Sequence, residues 1–133
     1  MVAQRAECCC GQLVVSANGR PEKVSVCHCD ACRRRTGSAF GIAAFYPRHR
    51  LEISGNSGTF QRPSASGFDV VFHFCPSCGS NLYWEPARMP ELIGVAAGAF
   101  ADPAMPPPDQ SVWDDHRYPW IAFPESLKRR SAP

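Results

Sequence analysis

Cysteine is the residue that most constrains how this chain can fold. The sequence has 133 residues and eight cysteines, and the thiols are clustered instead of being spread along the chain. Spacings this short allow several sulfurs of one cluster to reach the same ion. The clusters are C-C-C at 8–10, C-x-C-x-x-C at 27–32, and C-P-x-C-G at 75–79.

These clusters favour metal ligation or catalysis over disulfides. Four disulfides would be typical of a small secreted protein. However, the opening MVAQRAECCCGQLVV lacks a charged segment followed by a long apolar run, and no stretch reaches the roughly 20 apolar residues of a membrane span. We therefore expect a cytoplasmic protein with no membrane segment, in a compartment that keeps thiols reduced.

Size and charge narrow the function further. A chain of 133 residues predicts a single domain over 1–133. The net charge is only +2, and the positive charge is concentrated in 33–35 and 128–130, so no basic stripe indicates nucleic-acid binding. The Pro-rich segment 101–110 is predicted to be an extended connector, and 126–133 a flexible tail.

The pattern of apolar residues predicts a mainly β protein with little helix. In 68–74 the residues alternate between two faces, as they do in a half-buried strand. A short helical turn is expected near 31–35 and nowhere else. The other predicted strands are 13–17, 22–27, 39–46, 82–85 and 91–100, together with a hairpin of 50–54 and 58–62 across Gly55-Asn56-Ser57.

Cys75 and Cys78 form the most specific of the cysteine motifs. Their two-residue gap lets both sulfurs bind one ion, and Gly79 permits the positive φ that a metal-binding turn needs. A closed zinc site requires four ligands. In an extended C-C-C segment the outer residues point to the same side, so Cys8 and Cys10, rather than Cys9, are predicted to complete a structural four-thiolate zinc site.

Cys27, Cys29 and Cys32 remain after that site is closed. Three protein ligands and one open position are typical of a catalytic zinc, which predicts a second metal site here. A second structural knuckle remains an alternative. His28 is another candidate, as fourth ligand or general base, although strand alternation points it away from the neighbouring sulfurs. His73 is interpreted as a hydrogen-bonded strand histidine.

Arg33, Arg34 and Arg35 follow the third of these cysteines directly. Such a run is often a solvated turn. Guanidinium groups also lower thiolate pKa values and bind carboxylates through two hydrogen bonds. Both interpretations stay open from the residues alone.

Four segments together resemble the glutathione-dependent formaldehyde-activating enzyme family, which also contains centromere protein V. The resemblance implies a β-tent fold, with two small antiparallel sheets around zinc sites. It assigns the structural zinc to Cys8, Cys10, Cys75 and Cys78, and a catalytic zinc, whose occupancy varies, to Cys27, Cys29 and Cys32. The segments are CCCGQLVV, CHCDACRRRTGSAFG, FHFCPSCGSNLYW and DDHRYPWIAFP, in that order along the chain.

The same resemblance implies an activity and its partners. The family's founding reaction joins formaldehyde to glutathione as S-hydroxymethylglutathione, and it is classed as a carbon–sulfur lyase reaction. Small thiols and aldehydes are therefore the expected partners, and the centromere member suggests a non-catalytic, zinc-stabilised binding module as the alternative. Aromatic residues near the C-terminus would suit a homodimer contact or a lid. Substrate contacts are expected from Arg33, Arg34, Arg35, Thr36 and Ser38.

Overall fold

Two β-sheets make up most of the computed structural model, which describes residues 3–133. The smaller sheet has three antiparallel strands in the order β1-β2-β5. These strands are β1 (Ala3–Glu7), β2 (Val14–Asn18) and β5 (Leu51–Ser54). The mainly β prediction is therefore confirmed.

The larger sheet has eight strands in the order β11-β10-β3-β4-β9-β8-β7-β6. One α-helix, α1 (Asp30–Thr36), lies between β3 and β4, where the helical turn was predicted. Within residues 3–133 no helix is long and apolar enough to cross a membrane. The strands are β3 (Lys23–Cys27), β4 (Gly41–Pro47), β6 (Gly58–Pro63), β7 (Asp69–Phe74), β8 (Asn81–Pro86), β9 (Leu92–Ala96), β10 (Gln110–Val112) and β11 (Lys128–Arg129), and the 3-10 turns are Arg48–Arg50, Ala97–Phe100 and Asp114–His116.

The two faces of the larger sheet pack against different neighbours. Along β3, Val24 and Val26 are fully buried, and Val24 belongs to a core that also contains Val15 and Ala17 of the smaller sheet. Residues on the opposite face alternate with these, as the period of a strand requires. That second face carries its own apolar cluster, formed by Ala43, Phe45, Val70, Phe72, Trp84 and Leu92.

The predicted hairpin of 50–54 and 58–62 is wrong. β5 pairs with β2 in the smaller sheet, whereas β6 pairs with β7 in the larger one. The chain changes sheets at Gly55, whose φ is +97° and where a Cβ atom would lie 2.0 Å from the carbonyl oxygen of Gln12. Only glycine allows this crossing, because it tolerates positive φ and adds no side chain.

Two further expectations differ from the structure. The second sheet is neither small nor wholly antiparallel, because β10 runs parallel to both β3 and β11. The tail 126–133, expected to be flexible throughout, has an ordered part, since Lys128–Arg129 form β11 and Leu127 is buried, whereas residues 130–133 are exposed and lie outside any strand or helix. Without β11, the three-residue strand β10 would be the edge of the sheet and its outer backbone groups would lack partners. The tail supplies β11 as that partner strand.

Candidate metal centres and substrate cleft

Cys8, Cys10, Cys75 and Cys78 meet between the two sheets. Their sulfurs all lie within 4.8 Å of one another, and the Cys8–Cys10 and Cys10–Cys75 Sγ distances are both 3.6 Å. A tetrahedral ion with metal–sulfur bonds of about 2.3 Å needs sulfurs about 3.8 Å apart. The four side chains, which we call the four-cysteine group, therefore fit one metal ion.

Two loops with glycines place these sulfurs. Cys8 and Cys10 lie in the loop between β1 and β2, and Cys75 and Cys78 in the loop between β7 and β8, where Gly79 has φ +79°. The Gly79 N–H donates to the carbonyl of Cys75 at 2.8 Å, which closes the turn. Cys9 is exposed and outside the group, as predicted, although 8–11 form a hydrogen-bonded turn and not the extended segment from which the prediction was made.

Neighbouring hydrogen-bond donors lower the pKa of two thiols of this group, Cys75 and Cys78, whereas contacts with the Cys75 and Cys8 thiols raise the pKa of Cys10. The Gln12 side-chain amide donates to Cys75 Sγ at 3.0 Å, and the Leu13 N–H donates to Cys8 Sγ at 3.3 Å. The Ser80 hydroxyl is 3.3 Å from Cys78 Sγ, and this hydrogen bond contributes most to lowering the pKa of Cys78 to about 5. Metals bind the thiolate, so the donors at Cys75 and Cys78 favour the form that an ion would bind.

Cys27, Cys29 and Cys32 form the three-cysteine group. Cys27 ends β3, Cys29 caps the N-terminus of α1, and Cys32 lies in the first turn of that helix. The Cys32 N–H donates to Cys29 Sγ at 3.4 Å, and the three sulfurs lie within 4.8 Å of one another. Hydrogen bonds from the Cys27 and Cys32 side chains hold the pKa of Cys29 well below its usual range. This group can also hold a metal ion.

Among residues 3–133, no histidine or carboxylate joins the three-cysteine group as a fourth ligand. His28 points the other way, as predicted: its side chain is fully buried and its Nε2 lies 3.0 Å from Ser111 Oγ. Its ring also packs edge-on against Phe40 and Phe123. Three side chains of residues 3–133 could therefore act as ligands here, and a tetrahedral ion that they held would have one further position.

A cleft of about 140 Å³ opens beside the three-cysteine group. All three cysteines line it, and its floor is the second face of the larger sheet, including Phe45, Phe72 and Trp84. An aromatic floor excludes water and strengthens electrostatic interactions above it. The cleft is the natural place for a substrate to approach the cysteines.

The three consecutive arginines have different surroundings. Arg33 donates to the carbonyl of His116 at 2.6 Å and to Asp30 at 2.9 Å, and it lies over the Tyr118 ring. Arg34 is exposed, and neither of these two arginines lines the cleft. The structure therefore places Arg33 in packing contacts and Arg34 at the surface.

Arg35 is the arginine of this run that reaches the cleft. Its Nη1 donates to Asn81 at 2.9 Å, and its guanidinium lies 4.3 Å from the centre of the Trp84 ring. The Thr36 hydroxyl donates to the carbonyl of Cys32 at 2.9 Å, and Ser38 is exposed. Neither Thr36 nor Ser38 lines the cleft.

Sequence reasoning missed three basic residues that do line the cleft, namely Lys23, Arg62 and Arg88. Arg62, on β6, is close enough to Cys29 to contribute to its low pKa. Its guanidinium lies over the ring of Phe72 on β7. The signal for Lys23 was present, because it shares a face with Cys27 at period two on β3. Nothing local to Arg62 or Arg88 indicated the cleft.

Comparison with known proteins gives the family. Residues 3–116 match the model of the glutathione-dependent formaldehyde-activating enzyme family, and this range includes every cysteine of both groups. The chain belongs to that family. The resemblance drawn from the sequence motifs is therefore confirmed.

One individual protein is similar to this chain in sequence, and one solved structure is similar in fold. An uncharacterized lyase of Schizosaccharomyces pombe is 30% identical over 84 residues, which are 63% of this chain and 58% of the yeast protein. The match thus spans less than two thirds of that relative. A crystal structure of a Rhodobacter sphaeroides protein has a TM-score of 0.59 at 22% identity, covering 77% of this chain and 91% of the other, and it supports the fold.

Proposed function

We propose that this protein is a zinc-dependent carbon–sulfur lyase that makes and breaks adducts between a small thiol and an aldehyde, with glutathione and formaldehyde as the model pair. The family membership and the lyase-named yeast relative support this class of reaction. The observation that carries the proposal is the three-cysteine group, which lines an open cleft and has no fourth ligand among residues 3–133.

The residues fit zinc in both groups. Zinc is borderline-soft and takes thiolate ligands in tetrahedral sites, closed when structural and open at one position when catalytic. The four-cysteine group corresponds to the closed site and the three-cysteine group to the open one. An ion at the open site would supply Lewis acidity toward a carbonyl oxygen or lower the pKa of a thiol.

The chain's own side chains would bind and orient the substrate. Arg35 and Arg62 line the cleft beside the cysteines, where their guanidinium groups suit a carboxylate of the thiol substrate. The aromatic floor under them excludes water from the reacting atoms. The thiolate sulfur attacks the carbonyl carbon, a carbon–sulfur bond replaces the carbonyl π bond, and the proton released by the thiol ends on the new hydroxyl.

Two conditions belong to the same proposal. The enzyme works in a reducing compartment such as the cytoplasm, where the eight free cysteines stay reduced. A thiol substrate competes with the protein's thiolates for the ion at the three-cysteine group, so zinc occupancy there varies with thiol concentration.

Adduct formation by the Cys29→Ser protein tests the proposal. We expect it to lose more than about 100-fold of the wild-type rate, because even residues that only support metal ligands cost 10–100-fold when changed. The rate is measured by NMR exchange between glutathione, formaldehyde and S-hydroxymethylglutathione. Cys9→Ser is the matched control, since Cys9 lies outside both groups, and it should retain the rate.

Two results would contradict the proposal. One is an unchanged rate in Cys29→Ser. The other is a zinc-loaded wild-type protein that fails to accelerate the exchange for every thiol and aldehyde tested, which would favour the non-catalytic binding module.

A further inference from the structure

Lys23 is one of the two lysines in the sequence, and its side chain lines the cleft. It begins β3 and is paired with Phe45 of the neighbouring strand β4. The other lysine, Lys128, is exposed and lies outside the cleft. The proposed reaction at the three-cysteine group gives the Lys23 amine no role.

The groups in contact with the Lys23 amine are apolar. Its Nζ donates to Met89 Sδ at 3.6 Å and lies 5.2 Å from the centre of the Phe45 ring. Among residues 3–133, no carboxylate forms a salt bridge with it. An ammonium group in these surroundings loses hydration without gaining an ion pair, which favours the neutral amine.

The charged groups around Lys23 act in the same direction. Burial lowers the pKa of Lys23 most, and Arg88 and Arg130 lower it further, whereas Glu22 raises it. At neutral pH a larger fraction of this amine is therefore unprotonated than in an exposed lysine. The remaining charged or titratable groups that line the cleft are Arg35, Arg62, Asp69, the three cysteines and the carboxylate of Pro133.

A neutral lysine amine is a nucleophile toward carbonyl carbon. Lysines that form imines with carbonyl substrates are activated by desolvation in an apolar pocket or by a neighbouring cation, and Lys23 has both features. The nitrogen attacks the carbonyl carbon and transfers one proton to the oxygen, which gives a carbinolamine. That hydroxyl group then leaves as water with the second amine proton, and a carbon–nitrogen double bond remains.

The floor of the cleft determines which aldehydes are held beside this amine. It consists of the apolar cluster of the larger sheet, against which Met89 also packs, and the half-exposed Phe68 lines the cleft as well. An aldehyde with an apolar substituent gains free energy by burying that substituent on the floor. Formaldehyde has no substituent and gains nothing in this way.

We propose that Lys23 is an imine-forming residue through which the cleft takes up aldehydes that carry an apolar substituent, such as an aryl or alkyl group. The imine depends on the Lys23 amine and on the floor of the cleft, and not on the proposed lyase reaction. Hydrolysis reverses it, so the aldehyde is held and released without loss of the amine.

Reductive trapping in the zinc-loaded protein at neutral pH tests this inference. Cyanoborohydride converts an imine with benzaldehyde to a stable benzylamine, and peptide mass spectrometry locates the label. We expect Lys23 to be labelled at least about 10-fold faster than Lys128, since burying part of an aryl ring is worth such a factor. Formaldehyde should give a smaller ratio between the two lysines.

Substitution of Arg88 tests the protonation of the amine separately from the floor. Arg88→Met should raise the pKa of Lys23 and slow its labelling at neutral pH by about 2- to 3-fold, because interactions with an exposed charge are weak. The difference should shrink as the pH rises toward the ordinary lysine pKa. Arg20→Met is the matched control, because Arg20 is exposed and lies outside the cleft.

The outcomes separate this inference from the proposed function. Equal labelling of Lys23 and Lys128 by benzaldehyde overturns the inference, and an equal ratio with formaldehyde overturns the preference for an apolar substituent. Selective labelling of Lys23 in a protein without thiol–aldehyde activity supports the imine and removes the lyase proposal. Normal lyase activity with equal labelling of the two lysines does the reverse.

Discussion

At the scale of single residues, Ser80 connects the two loops of the four-cysteine group. Its hydroxyl oxygen accepts the Cys9 N–H at 3.0 Å and lies 3.3 Å from Cys78 Sγ. The first bond ties the β1–β2 loop to the β7–β8 loop, and the second stabilises a thiolate. One hydroxyl thus affects both the geometry of the group and its protonation.

Ser80→Ala should make metal retention more sensitive to acid. The hydrogen bond from the Ser80 hydroxyl is the largest of several interactions that lower the pKa of Cys78 to about 5, so the thiolate persists as the pH falls toward that value. Without the hydroxyl the pKa rises, protons compete with the metal at higher pH, and the midpoint of metal release moves upward. A chromophoric chelator can follow release during a pH titration.

Ser77→Ala is the control for that titration. Ser77 is exposed, and its side chain forms no hydrogen bond with any residue of 3–133. The pH midpoint of metal release from the Ser77→Ala protein should match that of wild type. Equal midpoints for Ser80→Ala and Ser77→Ala would contradict the role assigned to Ser80.

The arginine run shows what local sequence determines and what it does not. Successive helix residues point about 100° apart, so three neighbours cannot share one environment. The sequence therefore indicates that the three arginines differ in surroundings, but not that Arg35 is the one of the three that lines the cleft. Its partners, Asn81 and Trp84, come from β8, more than forty positions later in the chain. The exclusion of Cys9 was predicted from strand alternation, but the structure excludes it by a turn between Cys8 and Gly11.

At the scale of elements, α1 lies close to β4 because Gly41 has no side chain. A Cβ atom at Gly41 would be 2.7 Å from Arg35 Nη2 and 3.5 Å from Cys32 Cβ. The first contact is too short, so a larger residue must displace the Arg35 guanidinium. The glycine thus positions the arginine that lies beside the three-cysteine group.

Gly41→Ala should lower kcat/KM for the thiol substrate by about 10-fold, because a small displacement of a positioning group is costly in an active site. Stability should change little, since the atom that moves is the end of a flexible side chain. Steady-state kinetics and thermal unfolding measure the two effects. Gly98→Ala is the control, because nothing lies within 4 Å of a Cβ at Gly98. Equal kinetics in both variants would contradict this role.

The elements themselves were largely predictable, and their pairing was less so. The alternation of 68–74 and the short helical turn before β4 both correspond to elements of the structure. The hairpin prediction failed because a glycine turn between two strands is compatible with a hairpin or with a change of sheet. The contact of Gly55 with Gln12 decides between them, and it joins residues 43 positions apart.

At the scale of the whole molecule, the four-cysteine group joins the two sheets. Cys8 and Cys10 belong to a loop of the smaller sheet, and Cys75 and Cys78 to a loop of the larger one. Gln12 strengthens the junction by bonding both Cys75 and the backbone of Asn56. An ion here cross-links segments that are far apart in sequence.

Loss of this metal should destabilise the whole fold, because metal binding to a site absent from the unfolded chain adds directly to folding free energy. We expect Cys75→Ser to lower Tm by at least about 10 °C, equivalent to a few kcal/mol for a domain of this size. Calorimetry measures the shift, with Cys9→Ser as the control. An unchanged Tm in Cys75→Ser would contradict the proposed structural role of the four-cysteine group.

The coordination of zinc in the loaded protein tests most directly the central claim that one metal site is closed and the other open. The structure provides a four-cysteine group and a three-cysteine group. X-ray absorption at the zinc edge should therefore give two ions per chain with an average of about 3.5 sulfur ligands and 0.5 oxygen or nitrogen ligands each. Cys29→Ser should retain one ion with about four sulfurs. An average of four sulfurs at two ions, or a single ion in wild type under saturating zinc, would contradict the account.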